Sequence, residues 1–216
     1  MRVRRTTAFI DLSGFTALTA SRGDEEAVDL LTRFRSAVRQ VCSRRAVRIA
    51  KWLGDGAMLV SVEPRPALET VLELQHLASR ARSPLSVRCG ISTGSVILLE
   101  GDDYIGHAVN LAARLGDLAE PHEILAVPDL VSSLPVWGAV LSDREVQVRG
   151  LDGSVKVVCL GLQDHPPDCP TDPICGLPLG PEVAFARAVS SGGTLLFCSD
   201  SCLDTWQNRT SAPPRG

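Results

Sequence analysis

Apolar and polar positions along the first third of the chain predict alternating strands and helices. The segment T-T-A-F-I-D-L, over 6–12, is rich in apolar and β-branched residues and indicates a strand. Residues 25–42 carry apolar side chains at helical spacing, with arginines between them. Two strand-like runs, 47–53 and 58–62, flank the segment G-D-G. Because a D-G pair between such runs is a strong hairpin signal, we expect these two strands to pair.

The same alternation continues to about residue 162. The further predicted elements are a helix over 67–81, a strand pair of 87–91 and 96–99 around T-G-S, a helix over 106–118, a strand over 124–127 and a hairpin of 146–148 with 155–160. Helices that alternate with antiparallel strand pairs predict an α+β fold, in which a mostly antiparallel sheet carries its helices on one side.

The pattern changes after Leu162, where the segment Q-D-H-P-P-D-C-P-T-D-P has little to bury. The predicted organisation is a main domain over 1–162, a linker over 163–171, a small module over 172–208 and a tail over 209–216. A module of this length cannot bury enough apolar surface to fold alone, so we expect it to need a staple such as a metal ion.

Composition and charge limit the class of protein. The 216 residues are 44% hydrophobic and 22% charged, as in globular proteins. The net charge of −3 gives no overall basic field, which argues against nucleic acid or an anionic membrane as a partner. No run approaches the ~18 apolar residues of a membrane span, and Asp11 interrupts the first apolar run too early for a signal peptide. We therefore expect a cytoplasmic protein.

Lysine and cysteine are distributed unevenly. Lys51 and Lys156 are the only lysines among 22 basic residues, so each is a candidate for a specific role. Cys42, Cys89 and Cys159 lie in apolar contexts and are expected to pack as small hydrophobic side chains. The other four cysteines lie in the last quarter of the chain: Cys169, Cys175, Cys198 and Cys202. In a reducing compartment such a cluster indicates a metal site before a disulfide.

Two carboxylates are predicted to lie at neighbouring strand ends. Asp11 closes the first strand, and Asp55 lies in the first hairpin turn. Carboxylate oxygens are the ligands that Mg²⁺ and Mn²⁺ prefer, and such ions can bridge to phosphate oxygens. The strand of Asp11 runs into a turn and a helix start, where the backbone N–H groups of Gly14, Phe15 and Thr16 would bind a polyphosphate.

Four segments, in this order, resemble the signature segments of class III nucleotidyl cyclases: F-I-D-L-S-G-F-T, K-W-L-G-D-G, R-C-G-I-S-T-G-S-V and D-Y-I-G-H-A-V-N-L-A-A-R. The segment A-E-P-H-E-I-L-A-V is similar to the strand that follows in that family, and the resemblance covers about Arg4 to Leu162. It implies a ferredoxin-like catalytic core that converts a nucleoside triphosphate to a cyclic 3′,5′-monophosphate and pyrophosphate.

Carried over by position, the resemblance assigns metal binding to Asp11 and Asp55, purine recognition to Lys51 and Asp103, ribose orientation to Asn110 and transition-state support to Arg114. It implies two ions, Mg²⁺ or Mn²⁺, in each active site. It also implies a homodimer with shared active sites, because in the family the metal aspartates of one subunit face the purine-reading and transition-state residues of the other.

The residues also favour ATP over GTP as the substrate. Lys51 can donate to a ring nitrogen of adenine and Asp103 can accept from its exocyclic amine, whereas guanine would need a donor facing its O6. Asp102 lies beside Asp103, and the spacing to Asn110 selects Asp103. Asn110 and Arg114 are spaced by one helical turn and share a face of the predicted helix.

The segment D-P-I-C-G-L-P-L and the later F-C-S-D-S-C resemble the small YHS/TRASH metal-binding modules, over about Asp172 to Trp206. Thiolates of Cys175, Cys198 and Cys202 would bind Zn²⁺ or another soft metal such as Cu(I). The fourth ligand is left open between Cys169 and His165. A structural staple and a metal sensor that modulates the cyclase remain equal alternatives.

The leading hypothesis is an adenylate cyclase of intracellular signal transduction with a metal-binding appendage. An alternative is a catalytically weak cyclase-like domain that binds nucleotide and serves a metal-sensing protein. The intact set of six cyclase positions argues against that alternative. A third hypothesis is another palm-like nucleotide-polymerising enzyme, and the predicted helix with Asn110 and Arg114 argues against it.

Overall fold

The computed structural model of the protein describes residues 1–81, 85–99, 103–151, 153–163, 169–180, 186–190 and 193–211. The chain divides into two compact units, which we call unit 1, Met1–Leu162, and unit 2, Gln163–Gly216. Within the described ranges, no helix is long and apolar enough to cross a membrane.

Unit 1 is an α+β layer structure around one sheet. Its elements are β1 (Arg2–Ser13), α1 (Phe15–Arg22), α2 (Asp24–Arg44), β2 (Arg48–Leu53), β3 (Gly56–Ser61), α3 (Pro64–Arg80), β4 (Ser86–Leu98), β5 (Tyr104–Ile105), α4 (His107–Leu118), β6 (Ile124–Ala126), a 3-10 helix (Pro128–Ser133), β7 (Gly138–Gln147) and β8 (Ser154–Leu162). The strands order as β2-β3-β1-β4-β6-β8-β7, with β5 beside β4. Every pairing is antiparallel except that of β4 with β6.

This order confirms the predicted fold class. The first four long strands, with the helices between them, give the β-α-β-β-α-β connectivity of a ferredoxin-like core, with β1 and β3 inside and β4 beside β1. The predicted strand over 6–12 is the buried middle of β1, and the hairpin around G-D-G is β2 with β3. The sheet therefore brings the C-terminal end of β1 next to the β2–β3 turn.

The predicted strand pair around T-G-S is wrong. Residues 86–98 form one continuous strand, β4, which pairs with β1 from Arg2 opposite Ile97 to Ser13 opposite Ser86. Gly94 lies opposite Arg5 within this ladder and takes no left-handed φ. A local turn would have given up backbone hydrogen bonds that the long partner strand satisfies without interruption.

The two faces of the sheet bury different helices. Ile91 of β4 packs with Leu68 of α3 and Val38 of α2 in one apolar cluster. The neighbouring Gly90 faces the opposite side, where an added Cβ would come within 2.2 Å of the Ala112 carbonyl oxygen in α4. The prediction that the helices lie on one side of the sheet therefore holds for α2 and α3. Helix α4 covers the other face, because Gly90 lets the backbone of α4 lie directly on β4.

A buried ion network joins α2 to α3 in unit 1. Arg45 contacts both Glu69, at 2.5 Å, and Glu73, at 2.7 Å, and Arg44 contacts Glu73 at 2.5 Å. The side chains of Arg45 and Glu73 are 2% and 0% exposed, and the Arg45 guanidinium lies 5.8 Å from the Trp137 ring centre. Buried charges of this kind require their partners, so the network fixes how the two helices pair.

Unit 2 contains little regular structure among its described residues. A hairpin of β9 (Ala186–Ser190) and β10 (Gly193–Phe197) precedes α5 (Asp200–Ser211). Phe197 packs against Trp206 of α5 with ring centres 5.8 Å apart. A tight turn follows Asp172, whose backbone N–H donates to the Leu177 carbonyl.

Candidate functional site

The end of β1 and the β2–β3 turn bring Asp11 and Asp55 together. The turn has a left-handed residue, Gly54, with φ +64°. Gly56 begins β3 so close to β1 that an added Cβ would lie 2.5 Å from the Ile10 carbonyl oxygen and 3.1 Å from Asp11 Oδ1. Only glycine permits this approach, which brings the β2–β3 turn with Asp55 against the end of β1 at Asp11.

The charges around the two carboxylates are unbalanced. Burial raises the pKa of Asp55 above its usual value, and the nearby Asp11 charge raises it further, while its own backbone N–H and Arg88 lower it. Arg88 Nη2 lies 2.7 Å from Asp11 Oδ2. Two close carboxylates with a single guanidinium beside them have the donor set and the excess negative charge that a divalent cation would neutralise.

Arg88 was not predicted as a site residue. It lies directly opposite Asp11 in the ladder between β4 and β1. The signal that could have found it is this register, which requires knowing that β4 is one long strand antiparallel to β1.

The turn after Asp11 leads into α1, as predicted. Gly14 takes a left-handed φ of +88° as the N-cap of α1, and its carbonyl accepts from the Leu18 N–H. Phe15 and Thr16 form the first turn of this eight-residue helix. Their backbone N–H groups precede the hydrogen-bonded part of the helix and are free to donate to an anion.

Lys51 and Asp103 form an ion pair. Lys51 Nζ lies 2.8 Å from Asp103 Oδ2, and both side chains are partly exposed. The hydrogen bond from Lys51 is the main cause that lowers the pKa of Asp103. The alternative Asp102 lies outside the described residues. Lys51 lies opposite Met58, which packs on the α4 side of the sheet, so the pair belongs to the same face as α4.

Asn110 and Arg114 lie on α4 and line a depression of about 690 Å³. His107 and Arg149, which sequence reasoning did not select, line the same depression. The Arg114 guanidinium is about half exposed and contacts Asp117 at 3.3 Å. This weak contact leaves Arg114 able to turn toward a ligand.

The predicted cyclase residues therefore form three separate groups within one chain. The first group is Asp11 with Asp55 and Arg88, and the second is Lys51 with Asp103. The third group is Asn110 with Arg114. In the part of the chain that the structure describes, no ion pair connects one group to another.

In unit 2, three cysteines and one aspartate converge. The Sγ atom of Cys198 lies 3.6 Å from those of both Cys175 and Cys202. The ligand atoms of these cysteines and of Asp172 all lie within 4.8 Å of one another. Sulfur atoms of a tetrahedral zinc site are about 3.8 Å apart, so the spacing fits such an ion. All three thiols are free of disulfides.

Asp172 is the fourth residue of this cluster, and the fourth ligand stays a prediction between Cys169 and His165. Cys169 is not a member of the cluster among the described residues, and His165 lies outside them. The Asp172 carboxylate, 1% exposed, accepts the backbone N–H groups of Cys175, at 3.0 Å, and Cys198, at 2.7 Å. It also accepts from the Ile174 N–H. Asp172 thus links the backbone at Cys175 to the backbone at Cys198. Its position in the segment D-P-I-C does not by itself reveal this role.

The pKa values of the three thiols depend on one another. Hydrogen bonds from Cys175 and Cys198 lower the pKa of Cys202, while contacts with Cys175 and Cys202 raise the pKa of Cys198. Three adjacent thiolates would repel one another, so a soft cation bound between them is what would allow all three to ionise.

Unit 1 is similar to known proteins in both sequence and fold. The family model for the adenylate and guanylate cyclase catalytic domain matches residues 4–161. An uncharacterized protein of Mycobacterium tuberculosis is 40% identical over 159 residues, which are 73% of this chain and 41% of that protein. A pH-sensitive adenylate cyclase of the same species is 33% identical over 129 residues, 60% of this chain and 32% of that protein. The chain thus spans less than half the length of these curated relatives.

A solved structure shows the same fold. The crystal structure of the adenylyl cyclase CyaB from P. aeruginosa superposes with a TM-score of 0.66 at 26% identity, covering 78% of this chain and 97% of that one. With the family match over most of its length, the chain belongs to the adenylate and guanylate cyclase catalytic domain family, and unit 1 is that domain.

Proposed function

We propose that the protein is an adenylate cyclase that converts ATP to 3′,5′-cyclic AMP and pyrophosphate. The observation that carries this proposal is the close approach of the Asp55 turn to the end of β1 at Asp11, since a pair of adjacent carboxylates with an excess negative charge is what a two-metal phosphoryl-transfer site needs. Bound Mg²⁺ or Mn²⁺ ions would lower the pKa of the ribose 3′-hydroxyl and neutralise the triphosphate.

The protein's own groups would then position the substrate. The 3′-oxygen attacks the α-phosphorus, the bond to pyrophosphate breaks, and the hydroxyl proton leaves to solvent. Arg88 now compensates Asp11, and once cations take over that role it can contact the triphosphate. The N–H groups of Phe15 and Thr16 lie at a helix N-terminus, the usual backbone site for phosphate.

The Lys51–Asp103 pair supports adenine as the base. The ion pair holds a compact donor and an acceptor side by side at the sheet face, a pattern that matches N1 and the 6-amino group of adenine. Guanine presents an acceptor where adenine presents this amine, so it would meet the Asp103 carboxylate with the wrong polarity. Asn110 would orient the ribose and Arg114 would stabilise the charge that develops on the phosphate.

A head-to-tail homodimer would combine the three groups of residues. Each chain holds the metal aspartates in one group and the purine and transition-state residues in the others, with Arg114 half exposed. Pairing two copies by a two-fold axis would build two equivalent sites, each with metal aspartates from one chain and Arg114 from the other.

We also propose that unit 2 binds a soft metal ion through Cys175, Cys198 and Cys202. The sulfur spacing supports Zn²⁺, and Asp172 orients two of the three ligands. Metal binding would fold a module of the YHS/TRASH type, and its state could modulate the cyclase.

Substrate choice is the direct test of the proposed function. Purified protein with Mn²⁺ and either ATP or GTP should give mainly cyclic AMP, separated and measured by chromatography. The double variant Lys51→Glu with Asp103→Cys should lose the preference for ATP, whereas Lys156→Glu, the control at the other lysine, should keep it. A higher kcat/KM for GTP in the unchanged protein would refute adenine recognition, and no cyclic product from either nucleotide would refute the cyclase.

A further inference from the structure

Two arginines of α2 lie over the ring of Trp52, which comes just before the turn that carries Asp55. The guanidinium carbon of Arg35 is 5.0 Å from the ring centre, and that of Arg39 is 5.2 Å from it. Trp52 is partly buried against the main apolar cluster, so it presents a fixed surface to both arginines. Arginine stacks on such a ring through its planar guanidinium.

Arg35 also contacts the turn that carries Asp55. Its Nη2 donates a hydrogen bond of 2.8 Å to the carbonyl oxygen of Gly54. That carbonyl belongs to the peptide group that links Gly54 to Asp55, and a peptide group is planar. Holding its oxygen therefore fixes the plane from which the Asp55 backbone continues.

The opposite side of the same turn is fixed by β1, where Gly56 approaches the Ile10 carbonyl oxygen. Asp55 is thus held between an α2 guanidinium and the end of β1. We propose that Arg35 is a positioning residue of the metal site, because its hydrogen bond to the Gly54 carbonyl sets where the Asp55 carboxylate lies relative to Asp11. This inference rests on the proposed function of Asp11 and Asp55.

The Trp52 ring explains why position 35 favours arginine over lysine. Stacking on the ring restricts the guanidinium before it reaches the turn, so little further freedom is lost when it donates to Gly54. A lysine at position 35 would retain a charge and a donor without the planar stack. Arg39 stacks on the same ring and provides a matched control for loss of a cation from this surface.

The test compares Arg35→Ala, Arg35→Lys and Arg39→Ala in the full chain. Two quantities are measured: the Mn²⁺ concentration for half-maximal cyclase activity at saturating ATP, and the dissociation constant of Mn²⁺, determined by electron paramagnetic resonance with a non-reactive ATP analogue. Arg35→Ala should raise both by about tenfold, Arg35→Lys should raise them less, and Arg39→Ala should stay within about twofold.

Equal metal requirements in Arg35→Ala and Arg39→Ala would overturn the positioning role, as would a lowered Tm in Arg35→Ala with unchanged Mn²⁺ binding. Asp55→Asn separates the two proposals. If Asp55→Asn loses Mn²⁺ while Arg35→Ala binds it normally, only the role of Arg35 fails. If Asp55→Asn binds Mn²⁺ as the unchanged protein does, the proposed metal site itself fails, and the role of Arg35 fails with it.

Discussion

The two units hold their candidate functional residues in opposite ways. In unit 1 these residues lie at the margin of a large apolar core, and the side chains of Asp11 and Lys51 are 30% and 46% exposed. In unit 2 three of the four clustered residues are buried, with Cys198 at 2% and Asp172 at 1% exposure, and only Cys202 is partly exposed. Site substitutions should therefore change activity without unfolding unit 1, whereas in unit 2 they should change the fold itself.

Removal of the soft metal should have the largest effect on folding, and this loss of structure should be confined to unit 2. A thiolate-bound ion contributes on the order of 10 kcal/mol to the folding of small domains at neutral pH. A strong zinc chelator should release about one ion per chain and expose the amides of 193–211 to hydrogen exchange, while those of β1 and β4 stay protected.

Cys198→Ser should reproduce the effect of the chelator. Cys169→Ser is the matched control, since Cys169 lies outside the cluster, and it should retain the ion. A metal-free protein with protected amides in unit 2 would contradict the conclusion that unit 2 depends on its metal ion for folding.

Within unit 1, the largest effect should come from the buried ion network, far from the candidate site. Glu73→Ala removes the fully buried acceptor that Arg44 and Arg45 share and should lower the free energy of unfolding by about 3–5 kcal/mol. The control is Glu26→Ala, which breaks an exposed pair with Arg22 and should cost at most about 0.5 kcal/mol. Urea denaturation measures both, and similar losses in the two variants would contradict the assignment.

A smaller effect is expected from Asp172→Asn in unit 2. The amide keeps the size of the side chain but has one acceptor oxygen in place of two, so one of the bonds to Cys175 and Cys198 is lost. Zinc affinity, measured by chelator competition, should fall at least about tenfold. Asp204→Asn changes an exposed carboxylate of α5 and should have no effect; equal losses would show that Asp172 does not organise the ligands.

The smallest expected effect concerns a carboxylate of unit 1 away from the candidate site. Burial opposes ionisation of Glu123, but the hydrogen bond and charge of Arg144, together with the hydrogen bond from the Glu120 N–H, outweigh this and hold the pKa of Glu123 below its usual value. The pair therefore stabilises the fold above the unfolded-state pKa of Glu123, and this contribution is lost as pH falls through the lower folded-state pKa.

Glu123→Gln should accordingly cost about 1 kcal/mol at neutral pH and nothing in acid, with cyclase activity retained. Unfolding curves at several pH values measure this. A cost that does not change with pH would show that the charge of Glu123 has no part in it.

The sequence predicted unit 1 better than unit 2, for a physical reason. Strands and helices of unit 1 follow from apolar periodicity, which reports a large core directly. The T-G-S error arose because a glycine in a strand has the same local signal as one in a turn, and only the pairing of β4 with β1 decides between them. Arg88 was missed for the same reason, since its contact with Asp11 depends on that pairing.

In unit 2 the cysteines could be selected from the sequence, because their residue type and spacing are those of metal ligands. Asp172 could not be selected as an organising group, because its role consists of hydrogen bonds to backbone N–H groups in two distant segments. Such bonds carry no side-chain signature in the sequence. Arg35 could not be selected for the same reason, because its hydrogen bond is to the Gly54 carbonyl, 19 residues away along the chain.

Complementation between two inactive variants tests most directly the central claim, that two copies of unit 1 together build the active site. Asp11→Ala removes a metal ligand, and Arg114→Ala removes the transition-state cation. Each variant alone should be inactive. Mixed in equal amounts with free subunit exchange, half of the dimers contain one complete site, so about a quarter of the unchanged protein's cyclic AMP production should return. Exchange of subunits shown by differently labelled chains, with no recovery of activity, would contradict a site shared between two chains.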